Sequence, residues 1–260
     1  MSNTTMGRRG VVWKTPDITA DGLKLFACIT MFLQSVGIVI VGQGMIHLGQ
    51  YTQEGLSQAL AEDSHLMTLA GISSGLELLG GLSVPIFAFL LVEGFRNTSS
   101  YSRYLLTMVL FALLSEIPYD LAMQQKWMDF SSQNALVSMS ICLLMLYFLK
   151  MAQERGGMMA SVLQLLIVLA AIIWAALFRA AYGLCLILLV AVFYVFYGKN
   201  GIKTLLGVVI SLLYVTGPLA FYGIYCYNGQ RKDRLPKYVY YVFYPLHLLV
   251  LGLIVKYGMA

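Results

Sequence analysis

The sequence predicts an all-α fold, a polytopic bundle of about eight helices embedded in a membrane. Of 260 residues, 59% are hydrophobic and only 11% are charged, against roughly 25% charged in a soluble domain. Several apolar stretches approach the ~20 residues that one helical crossing needs. They are too long, and too apolar on all sides, for the ~10-residue alternating strands of a membrane barrel. Lipid offers the backbone no hydrogen bonds, so these stretches are predicted to be helices.

The chain divides into a cytoplasmic N-terminal segment, residues 1–22, and a single transmembrane domain, residues 23–260. No internal repeat or low-complexity tract divides the second part. Eight candidate spans follow one another along it. They are Leu23–Met45, Met67–Phe95, Tyr104–Met123, Ala135–Met151, Ala160–Phe178, Ala181–Tyr197, Ile202–Tyr225 and Tyr238–Tyr257.

Two of these spans carry helix-disrupting residues. The second is unusually long and is interrupted by Gly80-Gly81 and Pro85, which favours an interfacial piece joined to a true span. The third has Pro118 near its end, where a proline is expected to kink the helix. Between them, the polar residues from Asn97 to Ser100 predict a turn that can cap the helix after it.

The distribution of Lys and Arg predicts the orientation. With eight spans and the N-terminus inside, most of the 17 basic residues fall on the cytoplasmic side, so both termini are predicted inside. The loop from His47 to Leu66 has no Lys or Arg and fits the outer face. The cluster from Arg231 to Lys237 falls on the outer side of the membrane and violates the positive-inside rule, which places most Lys and Arg on the cytoplasmic side. Either the span count is wrong by one near the C-terminus, or the cluster is held outside.

Composition also limits the possible partners. The net charge of +5 is modest, and no Lys/Arg block with interleaved aromatics indicates a nucleic-acid surface. The four cysteines lack metal-ligand or disulfide spacing and are predicted to be small buried hydrophobes. The tyrosines from Tyr238 to Tyr244 are typical of an interfacial aromatic belt. The lipid bilayer is therefore the first partner that the sequence predicts.

Two carboxylates stand inside the third span. An ionisable group near the bilayer centre costs at least ~2.5–3.5 kcal/mol, and the spacing of Glu116 and Asp120 puts both on one helix face. So placed, they can share a proton, hold a substrate amine or act as a general base. In the alternative interpretation, Asp120 pairs with Lys126 in the headgroup region and Glu116 bonds to a neighbouring helix.

Four further ionisable groups are candidates. Glu93 and Arg96 can form an ion pair at the membrane edge, because they are three residues apart on a helix. Arg96 is then an interfacial anchor or, with Arg103, a phosphate contact. His247 lies inside the last span, where it is either a packed core residue or a proton carrier, since imidazole titrates near neutral pH.

Three motifs around these residues resemble those of the TraX family. They are Pro85-Ile86-Phe87-Ala88-Phe89-Leu90-Leu91-Val92-Glu93-Gly94-Phe95, Ser115-Glu116-Ile117-Pro118-Tyr119-Asp120, and Tyr241 to Leu249 with Tyr244-Pro245-Leu246-His247. Their order and spacing agree from about Leu23 to the end. The founding member of that family is linked to N-terminal acetylation of F-pilin, with acetyl-CoA as donor.

The resemblance implies a multi-pass acyltransferase of the bacterial cytoplasmic membrane. Its donor is acetyl-CoA or another acyl-CoA, its acceptor is an amine on a protein N-terminus or a small molecule, and no metal takes part. The resemblance also implies site residues. Those of the central cavity, with catalytic roles, are His247, Glu116 and Asp120. The residues that would bind the coenzyme A phosphates are Arg96 and Arg103, with Glu93 beside them. Arginine suits this role because its guanidinium matches phosphate geometry.

The chain departs from the family pattern at two places. The family's first span carries an Asp-His pair before Ile-Gly, and Gln34-Ser35 precede Val36-Gly37 here. The family also shows an Asp-Tyr-Gly tripeptide before Ala-Tyr-Gly, and in this chain Phe178-Arg179-Ala180 stand in its place. Either His247 takes over as the base, or the chain is a non-catalytic binding or scaffold relative. A third hypothesis is a transporter or export component, because buried carboxylates also serve as proton relays.

Overall fold

The computed structural model describes residues 18–230 and 236–259, and the elements of this part are helices. Helix α1 (Ala20–Ser35) continues without a break as a π-helix, Val36–Ile46. Short 3₁₀ turns occupy Leu48–Gln50 and Gly217–Leu219. The other helices are α2 (Gln53–Glu62), α3 (Ser64–Gly80), α4 (Ser83–Asn97), α5 (Tyr101–Gln124), α6 (Ala135–Arg155), α7 (Gly157–Leu177), α8 (Gly183–Val195), α9 (Asn200–Ser211), α10 (Ala220–Tyr225) and α11 (Lys237–Gly258).

The predicted class, a helical membrane bundle, is confirmed. Six helical stretches of the described chain are long and apolar enough to cross a bilayer. They are Ala20–Ile46, Ser64–Asn97, Tyr101–Gln124, Ala135–Arg155, Gly157–Leu177 and Tyr238–Gly258. The predicted count of eight is not confirmed, because α8 and α9 are shorter apolar helices. At 1.5 Å per residue, α8 is about 20 Å long, less than a hydrocarbon core of about 30 Å.

The helix-disrupting residues act differently in the two spans. The break predicted at Gly80-Gly81 is confirmed, because α3 ends at Gly80 and α4 begins at Ser83. Pro85 lies in the first turn of α4, where its missing N–H removes no helical hydrogen bond. Pro118 lies inside α5, which is helical on both sides of it. The turn before α5 ends at Ser100, whose side chain makes no cap hydrogen bond.

The bundle has two ends, named here after Arg103 and Gln125, which lie near the start and just after the end of α5. At the Arg103 end, the Lys24 ammonium lies 5.3 Å from the ring centroid of Tyr240, so α1 and α11 begin together. At the Gln125 end, the ammonium of Lys256, in the last turn of α11, donates to the Gln125 carbonyl (3.3 Å). The start of α1 and the end of α11 therefore lie at opposite ends. The prediction placed both termini on one side, whereas these two described helix ends lie at opposite ends of the bundle.

The segment from α9 to α10 explains why the start of α1 and the end of α11 lie at opposite ends of the bundle. The chain enters α9 at the Arg103 end, where Arg96 stacks on Tyr197 just before that helix, 3.7 Å from the ring centroid. It turns near the break between α3 and α4, where the Thr216 hydroxyl donates to the Leu78 carbonyl. Irregular backbone at this depth is tolerated because it is packed within protein.

After this turn the chain returns to the Arg103 end. The Ile18 amide donates to the Cys226 carbonyl (3.1 Å), and the Ala20 amide donates to the Gln230 carbonyl (3.1 Å). The stretch predicted as a seventh span, Ile202–Tyr225, is thus a re-entrant hairpin and not a crossing. Glycine and proline at the turn, in Gly217–Leu219, divide it into two short helices.

The re-entrant hairpin resolves the charge conflict in the sequence. The described residues on both sides of the basic cluster, Gln230 and Tyr238, belong to the Arg103 end. The seventh predicted span is therefore not a crossing, which agrees with the interpretation that the span count is wrong near the C-terminus. Residues 231–235 of the cluster and residues 1–17 of the predicted N-terminal segment lie outside the described residues.

The core lies along α8, the most apolar helix of the bundle. Its side chains Ile187, Leu189 and Phe193 are buried, and the helix packs against α4, α6, α7 and α9. All four cysteines are free and buried, as predicted. Because α8 fills the centre of one half of the bundle, the open space lies in the other half, where α1 and α11 face α4 and α5.

Candidate functional site

An elongated cavity of about 640 Å³ lies between α1, α4, α5, α6 and α11. On α5 its lining extends from Arg103 to Met123, about 30 Å at the helical rise. The cavity is therefore elongated along α5, and its length suits an extended chain. The bundle therefore contains a cavity, but Glu116, Asp120 and His247, which were predicted to line it, are absent from its lining. This elongated, partly open cavity is called the tunnel below.

The mouth of the cavity lies at the Arg103 end and is basic and hydroxyl-rich. Arg103 is exposed, lines the mouth and has no ion-pair partner in the described chain. Lys24 also lines it, but its ammonium pairs with Asp21 (3.3 Å). The polar turn 97–100 completes the rim with amide and hydroxyl groups. A guanidinium beside such donors suits a phosphate.

The interior of the cavity is lined by tyrosines. The Tyr182 hydroxyl donates to the side-chain oxygen of Gln34 (3.0 Å). The Tyr244 hydroxyl oxygen accepts a hydrogen bond from the Ala135 amide (3.3 Å), which leaves the Tyr244 proton without an acceptor in the described chain. The four tyrosines of the predicted aromatic belt from Tyr238 to Tyr244 also line the cavity.

His247 lies behind the lining and reaches the cavity through Ser35. Its Nε2 is 3.1 Å from the Ser35 hydroxyl, and its Nδ1 is 2.7 Å from the Phe243 carbonyl oxygen. A carbonyl oxygen can only accept, so Nδ1 carries a proton and neutral Nε2 is an acceptor for the Ser35 hydroxyl. Ser35 lines the cavity, and its single hydroxyl proton has a second acceptor within reach, the Met31 carbonyl oxygen 3.0 Å away. His247 is therefore oriented as a base.

Glu116 and Asp120 lie on one face of α5, as their spacing predicts, but neither lines the cavity. The Glu116 carboxylate accepts a hydrogen bond from the side chain of Asn134, the N-cap of α6. This agrees with the alternative interpretation, in which Glu116 bonds to a neighbouring helix. One oxygen of each carboxylate, Glu116 Oε1 and Asp120 Oδ1, is buried with no hydrogen-bond partner in the described chain.

The predicted pair between Asp120 and Lys126 is wrong. The Asp120 carboxylate accepts a hydrogen bond from the Asp129 amide (2.7 Å), while Lys126 pairs with the Asp129 carboxylate (2.9 Å). Residues 125–134 fold back onto the end of α5, which brings a backbone donor closer to Asp120 than any ammonium of the described residues. The carboxylates on α5 thus hold this loop and the start of α6.

Glu93 and Arg96 lie at the Arg103 end, next to the mouth but outside its lining. No ion pair joins them, because the two ion pairs of the described chain involve other residues. The Arg96 guanidinium instead stacks on the Tyr197 ring. The structure therefore separates the two predicted phosphate contacts, with Arg103 facing the cavity and Arg96 facing Tyr197, just after α8.

The family model described as TraX protein matches residues 19–255, nearly the whole chain. The chain belongs to the TraX family. Among curated proteins and solved structures, none matches it. The three motifs that resembled the TraX family place Glu93, Glu116 and His247 around one cavity, although behind its lining.

The site residues predicted from the sequence do not include those that line the middle of the tunnel. These are Gln34, Ser35, Tyr119, Tyr182 and Tyr244. The sequence carried a signal for two of them, because Gln34 and Ser35 occupy the places of the Asp-His pair of the TraX family. Tyrosine is ordinary in membrane helices, so no pattern marked the other three.

Proposed function

We propose that this TraX-family protein is an acyl-CoA-dependent N-acyltransferase. It moves an acyl group, in the first instance acetyl, to an amine on a protein N-terminus or a small molecule. The observation that carries the proposal is the tunnel itself. It begins at Arg103 and passes a serine whose hydroxyl meets a histidine oriented as a base.

The shape and charge of the tunnel suit the donor. Coenzyme A has a highly charged, phosphate-bearing end and a long thin arm that ends in the thioester. Arg103 at the mouth would hold phosphate by charge-assisted hydrogen bonds, and Arg96 next to it adds positive charge. The elongated interior would take the arm. The helical rise from Lys24 to Ser35 is about 16 Å, so the thioester would stand near mid-membrane.

The basic end of the bundle would face the cytoplasm. Lys24, Arg96 and Arg103 lie there, and the positive-inside rule favours such an end on the cytoplasmic side. Acyl-CoA is made in the cytoplasm, so the mouth would open to its donor. This orientation fits a multi-pass protein of the bacterial cytoplasmic membrane.

The histidine supplies the acid-base chemistry of transfer. Nε2 of His247 would take the proton of the attacking group and return it to the departing thiolate of coenzyme A. The proton of Tyr244 would donate to the oxyanion that forms on the thioester carbonyl. Glu116 and Asp120, behind the lining, would hold the start of α6 and the loop 125–134 in place.

Donor binding and turnover test the proposal. Purified protein is mixed with coenzyme A or acetyl-CoA, and thermal unfolding and thiol release are measured. We expect coenzyme A to raise the unfolding temperature and Arg103→Gln to weaken its binding by about tenfold or more, as a charged hydrogen bond is worth roughly 1.5–3 kcal/mol. Arg155→Gln, an exposed arginine at the same end but outside the lining, is the control.

The replacement of the family's Asp-His pair by Gln34-Ser35 favours one second candidate, a non-catalytic relative that binds a ligand in the same tunnel. In that case His247→Ala and Glu116→Ala would leave the protein's native role intact. Absence of both coenzyme A binding and acetyl-CoA turnover in the wild type would contradict the acyltransferase proposal.

A further inference from the structure

The Ser35 hydroxyl is the only side-chain hydroxyl of the described chain that is hydrogen-bonded to an imidazole. Because the Phe243 carbonyl fixes the proton on Nδ1 of His247, Nε2 faces Ser35 with its lone pair. A nucleophile, a base within hydrogen-bond reach and a third group that orients the base form the usual constellation of covalent catalysis. In this chain the orienting group is a backbone carbonyl.

The helix around Ser35 is unusual. Ser35 is the last residue of α1, and the π-helix begins at Val36. Departures from α-helical winding inside a long helix are frequent at functional sites. The junction places Ser35 in the lining of the tunnel while its hydroxyl meets His247. The hydroxyl is thus accessible to a ligand and to its base at once.

We infer that Ser35 is the first acyl acceptor of the reaction, and that transfer proceeds through an ester on its hydroxyl oxygen. This inference rests on the proposed thioester donor. It adds to that proposal a covalent intermediate and an order of steps. The donor acylates the protein, coenzyme A leaves, and the amine then attacks the ester.

The steps balance. Oγ of Ser35 gives its proton to Nε2 of His247 and attacks the thioester carbonyl carbon. The carbon–sulfur bond breaks, and the coenzyme A thiolate takes the proton from the imidazolium. In the second half, the amine attacks the ester carbonyl and gives a proton to Nε2. The bond from carbon to Oγ breaks, Oγ regains the proton, and the amide departs.

A protonated imidazole is accommodated between these steps. When Nε2 carries a proton, it can donate to Oγ, while any hydroxyl proton of Ser35 can turn to the Met31 carbonyl oxygen 3.0 Å away. The Tyr244 ring lies 5.8 Å from the imidazole by centroids. Tyr244 and Ser35 both line the tunnel, so the Tyr244 hydroxyl is the donor that we assign to the oxyanion.

Acylation of the protein tests this inference. Full-length protein in detergent is incubated with acetyl-CoA without an acceptor, quenched in acid, and digested for mass spectrometry. We expect an acetyl group on the Ser35 peptide of the wild type, its loss in Ser35→Ala, and formation slowed by about 10² or more in His247→Ala. Ser83→Ala removes a serine that also lines the tunnel but bonds only to a backbone carbonyl, and it keeps the label.

A conservative variant and a second probe separate chemistry from folding. Ser35→Cys is expected to form a thioester that neutral hydroxylamine releases, which a purely structural role for Ser35 would not produce. A fluorophosphonate reacts with an activated serine and needs no coenzyme A, so labelling at Ser35 supports the nucleophile independently of the donor.

The outcomes distinguish the two proposals. Fluorophosphonate labelling at Ser35 without acetyl-CoA turnover keeps the nucleophile and removes the proposed donor. Acetyl-CoA turnover with no adduct on Ser35, and with full activity in Ser35→Ala, overturns the covalent step and keeps the acyltransferase. If neither probe labels Ser35 and no turnover occurs, both are overturned.

Discussion

The Tyr182 hydroxyl donates a hydrogen bond to the side-chain oxygen of Gln34, 3.0 Å away, and so ties the start of α8 to the middle of the first span. Tyr182 has a left-handed backbone (φ 60°), which turns the chain into α8. By its resemblance to the TraX family, the chain has Gln34 where an aspartate is expected. The polar position of the first span is therefore kept, with a neutral acceptor in the place of a charged one.

Loss of this bond should weaken the bundle modestly. Tyr182→Phe removes the hydroxyl donor, so the Gln34 side-chain oxygen loses this hydrogen bond. Hydrogen bonds between membrane helices are worth roughly 0.6–2 kcal/mol, so we expect thermal unfolding in detergent to shift down by a few degrees. Tyr222→Phe changes an exposed tyrosine and is the control. Equal shifts for both variants would show that the bond does not stabilise the fold.

Close packing of α3 on the π-helix depends on Gly37. A Cβ at this position would stand 2.8 Å from the Leu76 Cβ and 3.0 Å from the Ser73 carbonyl oxygen. We expect Gly37→Ala to lower the stability by about 1–3 kcal/mol, the usual cost of overpacking. Gly75→Ala on α3 meets open space and should be neutral or stabilising by up to about 1 kcal/mol. Unfolding midpoints of the two variants in the same detergent measure this.

The loop at the Gln125 end has a pH-dependent anchor. Hydrogen bonds from Ser131 and from the Lys126 ammonium hold the pKa of Asp129 at about 2, against about 3.9 in an unfolded chain. A lowered pKa stabilises the folded form above the unfolded value, and this stabilisation disappears as the pH falls from about 4 to about 2.

Asp129→Asn should therefore lower the unfolding temperature near pH 6 and have little effect near pH 2. Unfolding of both proteins across this pH range checks the sign. A difference between wild type and variant that grows on acidification would contradict the assignment.

The sequence predicts those parts of the fold that hydrophobicity determines, namely the long apolar helices. The long helices are apolar along their whole length, so composition located the six stretches that are long enough to cross. The shorter α8 also runs from the Gln125 end to the Arg103 end. Ile202–Tyr225 is as long and apolar as a span, and the sequence cannot tell a segment that crosses from one that turns back. Gly217 and Pro218 were the local signal, but the deciding contact, from Thr216 to Leu78, joins distant parts of the chain.

The site could be predicted only in part, for a related reason. Helical spacing put Glu116 and Asp120 on one face, which is correct, but it does not say what that face meets. Asn134 and the Asp129 amide cover it, and both follow from how the loop 125–134 folds back. The role of Ser35 likewise depends on His247, which is 212 positions away in the sequence.

The two arginines beside the tunnel should respond differently to substitution. Arg96 stacks on Tyr197, so Arg96→Gln is expected to cost roughly 0.5–1 kcal/mol of stability and to change the affinity for coenzyme A little. Arg103→Gln should do the reverse. Coenzyme A titrations paired with unfolding curves separate these effects. A stronger loss of affinity in Arg96→Gln would move the phosphate contact to that residue.

The orientation of the two ends can be measured by cysteine labelling. The four native cysteines are buried, so they can be replaced by alanine or serine and single cysteines placed at Ser99, Asn228 or Gly258. A membrane-impermeant maleimide added to intact cells and to inverted vesicles reports the side of each. We expect Ser99→Cys and Asn228→Cys to react from the cytoplasmic side and Gly258→Cys from the other, because the re-entrant hairpin leaves an odd number of passages. Reaction of Gly258→Cys from the same side as Ser99→Cys, with Asn228→Cys reacting from the opposite side, would require residues 200–225 to cross the membrane after all.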